Sequence, residues 1–143
     1  MNEISFDIGV KTYSIGGVAV SFNPTDPAVL KRIYNAANGL QKIQDEYEAK
    51  APAAREDIDA WLALAESTDK AMRAEIDNAF ETPVADACFG DVNCFSLSGG
   101  LPVWANLLFA VIDTLEKEAA AQKKLTNPRL EKYLKKYDKP KKR

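Results

Sequence analysis

The stretch ISFDIGVKTYSIGGVAVSFNPTDPAVL, residues 4–30, decides the fold, because the spacing of its apolar residues changes from that of a strand to that of a helix. Its first part alternates apolar with polar or small residues, which is the period of a β-strand; the apolar members are Ile4, Phe6, Ile8 and Val10. Tyr13 and Ile15 continue the alternation in the opposite phase. We therefore predict strands across the first 22 residues, with a bulge or bend between Gly9 and Thr12.

The centre of this stretch predicts a tight hairpin. Gly16-Gly17 separates two apolar runs, and the turns that close short hairpins need positive φ angles, which glycine adopts without strain. The segment Asn23-Pro24-Thr25-Asp26-Pro27 then ends the sheet. Asp26 is a good N-cap and Pro27 suits the first helical position, so a helix begins there.

In the rest of the sequence, apolar residues recur at spacings of three and four positions, which predicts helices. We expect helices over residues 27–49, 53–80 and 102–123, and short helices over residues 83–89 and after Pro128. Lys50-Ala51-Pro52 breaks the first helix or begins the second. Thr82 caps the short helix and Gly90 ends it. Gly39 marks a close packing point or a bend. The predicted fold class is α+β, mainly α: an N-terminal β-hairpin, then a bundle of three longer helices plus short helices, with a basic C-terminal helix and tail.

Charge is distributed unevenly along the chain. Residues 123–143 contain ten Lys or Arg against two acidic residues, a net charge of +8, and because the whole chain carries −2, residues 1–122 carry −10. This asymmetry favours binding over catalysis, and the alternative is a solvated tail that only keeps the protein soluble. We divide the chain into a hairpin and helical-bundle domain, residues 1–125, and a basic C-terminal helix and tail, residues 126–143, of which Pro140-Lys141-Lys142-Arg143 is expected to be disordered.

Composition argues against the common catalytic and metal chemistries. The chain has no histidine, which removes the usual general base, and its two cysteines do not complete a zinc site. We expect Cys88 and Cys94 to be reduced and at least partly buried. The acidic residues of the second long helix alternate with Lys70 and Arg73, which indicates a solvated face. Gly99-Gly100 lacks the motifs of a phosphate-binding loop. We predict no enzyme activity, no cofactor and no metal.

The predicted last helix carries an apolar stripe, Leu130, Tyr133, Leu134 and Tyr137, flanked by lysines. It could dock into a partner's groove, fold back on the acidic body or contact nucleic acid. Lysines outnumber arginines, which disfavours specific phosphate recognition. The surplus apolar residues of the third long helix, Trp104, Leu107 and Phe109, are further candidates for binding a partner, unless they belong to the core.

Several short motifs together resemble a known family. They are Phe22-Asn23-Pro24-Thr25-Asp26, Met72-Arg73 with Ile76-Asp77, Cys88-Phe89-Gly90, Gly100 to Leu108, and Thr126-Asn127-Pro128-Arg129 with Lys132-Tyr133 and Lys136-Tyr137. This arrangement is similar to that of the tail assembly chaperones of long-tailed phages and prophages of Gram-positive bacteria. The resemblance covers nearly the whole chain.

The resemblance implies a function and partners. Such chaperones coat the tape measure protein and keep it soluble until the tail tube polymerises around it. They are not catalytic and are absent from the finished virion. The expected partners are thus the tape measure protein, the tail tube protein and further copies of this chain, in the cytoplasm of the bacterial host, without membrane attachment. Lys132, Lys135 and Lys136 are candidates for self-association, because a basic tail can meet the acidic body of the next copy.

Two other functions fit the same residues. A tail completion or connector protein would remain in the virion. A nucleic-acid-binding accessory protein would use the basic tail, although the net charge of the body repels a duplex.

Overall fold

The computed structural model describes residues 1–137. The side chains of Lys136 and Tyr137 and the predicted disordered tail lie outside the described residues. The elements in chain order are β1 (Lys11–Ile15), β2 (Val18–Phe22), α1 (Pro27–Ala54), α2 (Ile58–Phe80), α3 (Ala85–Phe89), β3 (Leu97–Ser98), β4 (Leu101–Pro102), α4 (Val103–Lys124) and α5 (Arg129–Tyr137). An antiparallel hairpin followed mainly by helices confirms the predicted fold class.

The first hairpin forms where Gly16-Gly17 predicts it. Both glycines have positive φ, 61° and 85°, and Tyr13 pairs with Val20 across the strands. One face of the hairpin, which includes Ile15, packs on the helices, while the other carries polar groups.

The prediction of a strand before Lys11 is wrong. Residues 1–10, which we call the N-terminal arm, form no strand, and Ile4, Phe6 and Ile8 are 82%, 81% and 63% exposed. The bend is present, since Gly9 has a φ of 71°. It separates the two alternation phases, so the arm leaves the hairpin instead of joining it.

The long helices differ from prediction at the junction between α1 and α2. Asp26 caps α1 as expected, because its Oδ1 accepts the amide of Ala28 at 2.9 Å. Pro52, however, lies inside α1. It removes one amide donor in the last turn of an exposed helix end, where water can satisfy the freed carbonyl, so the helix continues to Ala54. Asp57 then caps α2 through the amides of Asp59 and Ala60.

The short helix α3 is capped through tertiary structure. Thr82, the predicted cap, precedes a helix that begins at Ala85. Instead, Oδ1 of Asp77 on α2 accepts the amides of Val84 and Ala85, both at 2.8 Å. At the other end Gly90 follows the helix with a φ of 56°, as predicted.

The core lies between α1, α2 and α4, with the β1–β2 hairpin and α3 closing it. Met72, Ile76, Leu40 and Leu108 are fully buried at its centre. Gly39 is a close packing point, since a Cβ atom there would lie 2.7 Å from Oε1 of Glu75 on α2. Gly99-Gly100 forms the positive-φ turn of the small hairpin β3–β4.

Candidate partner-binding surfaces

The apolar residues predicted to bind a partner on α4 separate into core and surface. Trp104 is 3% exposed, and its indole nitrogen donates to Oε1 of Gln44 at 2.7 Å. It therefore belongs to the core and is removed from the candidate surface. Leu107 is half-buried and Phe109 is exposed, so these two remain.

An apolar groove runs between β1 and α4. Its volume is about 260 Å³, and it is lined by Tyr13, Ser14, Ile15, Gly16, Phe22, Leu107, Ala110, Val111 and Thr114. The four α4 residues recur at helical spacing and so form one face. We call this feature the β1–α4 groove. Sequence reasoning missed it, because a groove between two elements has no local signal in the chain.

Tyr13, one of the residues that line the groove, has a buried hydroxyl that makes no hydrogen bond with any of residues 1–137. Burial and the nearby Glu118 carboxylate raise the pKa of this phenol, so it remains a neutral donor. A buried hydroxyl without a hydrogen-bond partner is unfavourable.

The apolar stripe of α5 faces solvent. Leu130, Tyr133 and Leu134, which we call the α5 stripe, are 71%, 45% and 61% exposed. The back-folded arrangement considered from sequence is therefore not the one observed in the described residues. Tyr137 belongs to the predicted stripe, but its side chain lies outside the described part.

Basic side chains surround the α5 stripe. The Nζ atom of Lys132 lies 5.5 Å from the ring centre of Tyr133, and the guanidinium of Arg129 lies 5.6 Å from it on the same helix. Lys135 pairs with Glu131 at 2.6 Å, within one turn. Such an exposed pair contributes little to stability, so Lys132 and Lys135 are free to meet another acidic surface. The side chain of Lys136 is not described.

The motif around Arg73 has a structural role. Its guanidinium bonds Asp69 at 3.0 Å and Asp86 at 2.9 Å, and it donates to the carbonyls of Gly90 and Val92 at 2.9 and 2.8 Å. The second oxygen of Asp69 accepts the amide of Cys94 at 2.8 Å. This network fixes the loop after α3. The predicted solvated acidic face is therefore wrong at Asp69, which is turned inward.

The two cysteines are free, as predicted, and both are shielded from solvent to some degree. Cys94 is buried and Cys88 is half-buried. Burial, with a smaller contribution from the Asp69 carboxylate, raises the pKa of Cys94 from 9.0 to about 12. Burial also raises the pKa of Cys88. Both are neutral thiols at physiological pH and weak nucleophiles.

A second exposed apolar patch lies at the β3–β4 hairpin, which sequence reasoning did not consider. Val92 in the preceding loop is half exposed, while Leu97 and Leu101 on the hairpin are 71% and 41% exposed. The sequence around these three residues does not indicate whether their side chains face the core or solvent.

Within residues 1–137, no three His, Cys, Asp or Glu side chains are grouped closely enough to hold a metal ion. None of the described helices combines the length and the apolar character needed to cross a membrane. Comparisons of the chain with protein-family models, with curated protein sequences and with solved structures give no match.

Proposed function

We propose that this chain is a phage tail assembly chaperone, which binds the tape measure protein and keeps it soluble until the tail tube polymerises. The proposal takes its identity from the resemblance in the short motifs. The observation that carries it is the exposure of the α5 stripe on a chain whose body has a well-packed core.

The α5 stripe suits reversible binding of an apolar partner. An amphipathic helix that presents side chains at spacings of three and four residues fits a groove or a second helix on its partner. Leu130 and Leu134 lie one turn apart, with Tyr133 between them. Their surroundings are basic, so the favoured partner segment is apolar with an acidic rim.

Self-association through charge would place many copies along one extended partner. The tail region carries +8 and residues 1–122 carry −10. One copy's Lys132 and Lys135 can meet the acidic body of the next, a head-to-tail contact that need not close into a ring. This contact weakens as salt screens the charges.

The experiment measures the soluble fraction of a tape measure protein produced in the same cells as this chain. The gene is taken from the same cluster as the gene for this chain. We expect the tape measure protein to be soluble with the full chain and to precipitate without it. Leu130→Glu with Leu134→Glu should abolish the effect, because a charged stripe cannot be desolvated without large cost.

The matched control is Ala121→Glu with Gln122→Glu, which adds the same negative charge at two exposed positions outside the stripe. It should leave solubilisation intact. If the stripe variant solubilises the tape measure protein as well as the full chain does, the stripe is not the binding surface. Mass spectrometry of purified virions separates this proposal from the connector function, because a chaperone is absent from the particle.

A further inference from the structure

The N-terminal arm has the pattern of a strand but lacks a partner. Its apolar side chains alternate with Glu3, Ser5 and Asp7, yet they are exposed. No backbone–backbone hydrogen bond joins residues 1–10 to another described residue. An apolar face of this kind, held in water, is typical of a segment that pairs with another chain.

The same chain offers a free strand edge. β1 pairs with β2 on one side, and within the described residues no strand pairs with its other side. The β1–α4 groove contains four successive residues from the β1 end of the hairpin, Tyr13 to Gly16, and its opposite wall is α4. A strand added beside β1 would therefore lie over the groove.

From these two features we propose that residues 4–8 of one copy add as a third strand to the free edge of β1 in a second copy. Alternate side chains of an added strand point to one face, so Ile4, Phe6 and Ile8 enter the β1–α4 groove together. Glu3, Ser5 and Asp7 then lie on the outer face.

The dimensions and chemistry of the two parts match. β1 has five residues, as has the segment from Ile4 to Ile8, so each spans about 17 Å at the usual rise of a strand. The outer face of β1 carries Thr12 and Ser14, which are uncharged, so Glu3 and Asp7 of the added strand would meet no negative charge there.

The C-terminal end of the arm is anchored to its own hairpin by one hydrogen bond. Nδ2 of Asn23, which follows β2, donates to the carbonyl of Ile8 at 2.8 Å. A Cβ atom at Gly9 would lie 2.7 Å from that same nitrogen, so the glycine permits the contact. This hydrogen bond fixes the arm at Ile8, while Ile4 and Phe6 before it are exposed and so accessible to another molecule.

This interface goes beyond the proposed function and does not depend on the identity of the tape measure protein. Reciprocal exchange of arms gives a closed dimer, whereas one-way addition gives an open series of copies. In both cases the exposed strand edge, which otherwise invites aggregation, becomes covered.

The test measures self-association of the full chain by sedimentation velocity over a range of concentrations. We expect Phe6→Asp on the arm and Ala110→Glu in the groove each to weaken association at least about tenfold, since each places an unpaired charge in the contact. The controls are Ser5→Asp, on the polar face of the arm, and Ala120→Glu, an exposed α4 position outside the groove. Both controls should associate like the unaltered chain.

A crosslinking measurement identifies the occupant of the groove. Phe6→Cys and Ala110→Cys are prepared as separate chains, each also carrying Cys88→Ser, and are mixed with a short bis-maleimide. A covalent dimer in the mixture, but in neither chain alone, supports the proposal. A monomer at every concentration, equal association by the Phe6→Asp and Ser5→Asp chains, or an arm that crosslinks to a tape measure protein and never to a second copy would overturn it.

Because the stripe on α5 is not part of this interface, the two proposals fail separately. If this chain does not solubilise the tape measure protein but its arm crosslinks as expected, only the proposed function is refuted. Normal solubilisation by a chain with Phe6→Asp removes any need for the arm in that function, while the crosslinking result still decides the interface.

Discussion

The turn of the first hairpin allows a comparison of two adjacent glycines. Gly16→Ala and Gly17→Ala both force alanine into a positive φ, at 61° and 85°. A left-handed conformation costs an L-residue about 1–2 kcal/mol. Only one of the two positions is also in contact with another element. A Cβ atom at Gly16 would lie 2.7 Å from Sγ, 2.9 Å from the backbone nitrogen and 3.0 Å from Cα of Cys88, whereas at Gly17 it would meet nothing within 4 Å.

The contact with α3 determines how much more Gly16→Ala than Gly17→Ala lowers the free energy of unfolding. Overpacking against backbone costs about 1–3 kcal/mol. We therefore expect Gly17→Ala to lower the free energy of unfolding by about 1–2 kcal/mol and Gly16→Ala by about 2–5 kcal/mol. The gain from a less flexible unfolded chain is the same for both and cancels in the difference.

The assay is urea unfolding monitored by far-UV circular dichroism. The slope of the unfolding free energy against urea concentration is also compared between variants, because an altered slope would indicate a changed folded or unfolded state. Combining Gly16→Ala with Cys88→Ala should recover only part of the extra loss, because the overlap with the backbone of residue 88 remains. Equal destabilisation by the two glycine variants would show that the hairpin does not pack on α3 as described.

Three further predictions concern the network around α2, the buried thiol and nucleic acid. Arg73→Met should destabilise the fold by about 3 kcal/mol in the same urea assay, because it removes the partner of one Asp69 oxygen and the donor to two carbonyls. Lys70→Met, which removes an exposed ion pair, should change the free energy of unfolding by less than about 0.5 kcal/mol. The raised pKa of Cys94 means that the folded chain binds its proton more tightly than the unfolded chain. The free energy of unfolding should thus fall as the pH rises from about 9 towards 12, and Cys94→Ala should make that fall shallower, while an unchanged pH profile would contradict the burial of the thiol. Fluorescence anisotropy with duplex DNA should show no binding at physiological salt; a tight complex whose affinity falls steeply with salt would favour the nucleic-acid function instead.

Features that depend on local chemistry could be predicted from the sequence. The turn at Gly16-Gly17 needs positive φ angles, which glycine adopts without strain. Asp26 starts α1 because its side chain caps the helix, and the ring of Pro27 fixes a φ angle that suits the first helical position. In each case the residues that determine the structure are neighbours along the chain.

Features that depend on distant residues could not be predicted in this way. Asp77 caps α3 from α2, and Arg73 connects α2 to the loop after α3. The i,i+4 spacing of Asp69 and Arg73, with Asp69 inside an otherwise apolar stripe, was the available signal for the second of these. The arm shows the opposite error, since its apolar alternation predicts a strand, whereas residues 1–10 pair with no strand of the described residues.

The candidate surface was only partly accessible to sequence reasoning. The periodicity of α4 marks Trp104, Leu107 and Phe109 as apolar, but whether each faces the core depends on how α1 packs against α4. The indole of Trp104 is buried, and Gln44 on α1 accepts the hydrogen bond of its N–H, which would otherwise be buried without a partner. The α5 stripe was identified correctly as amphipathic, because a short helix outside the core follows its own periodicity.

The measurement that tests the central claim most directly is the number of copies of this chain bound to one tape measure protein. The two proteins are produced together, the soluble complex is isolated by size exclusion, and its mass is determined by light scattering. Our account predicts a soluble complex with many copies of this chain for each tape measure protein. A tape measure protein that remains insoluble while this chain elutes alone would contradict it.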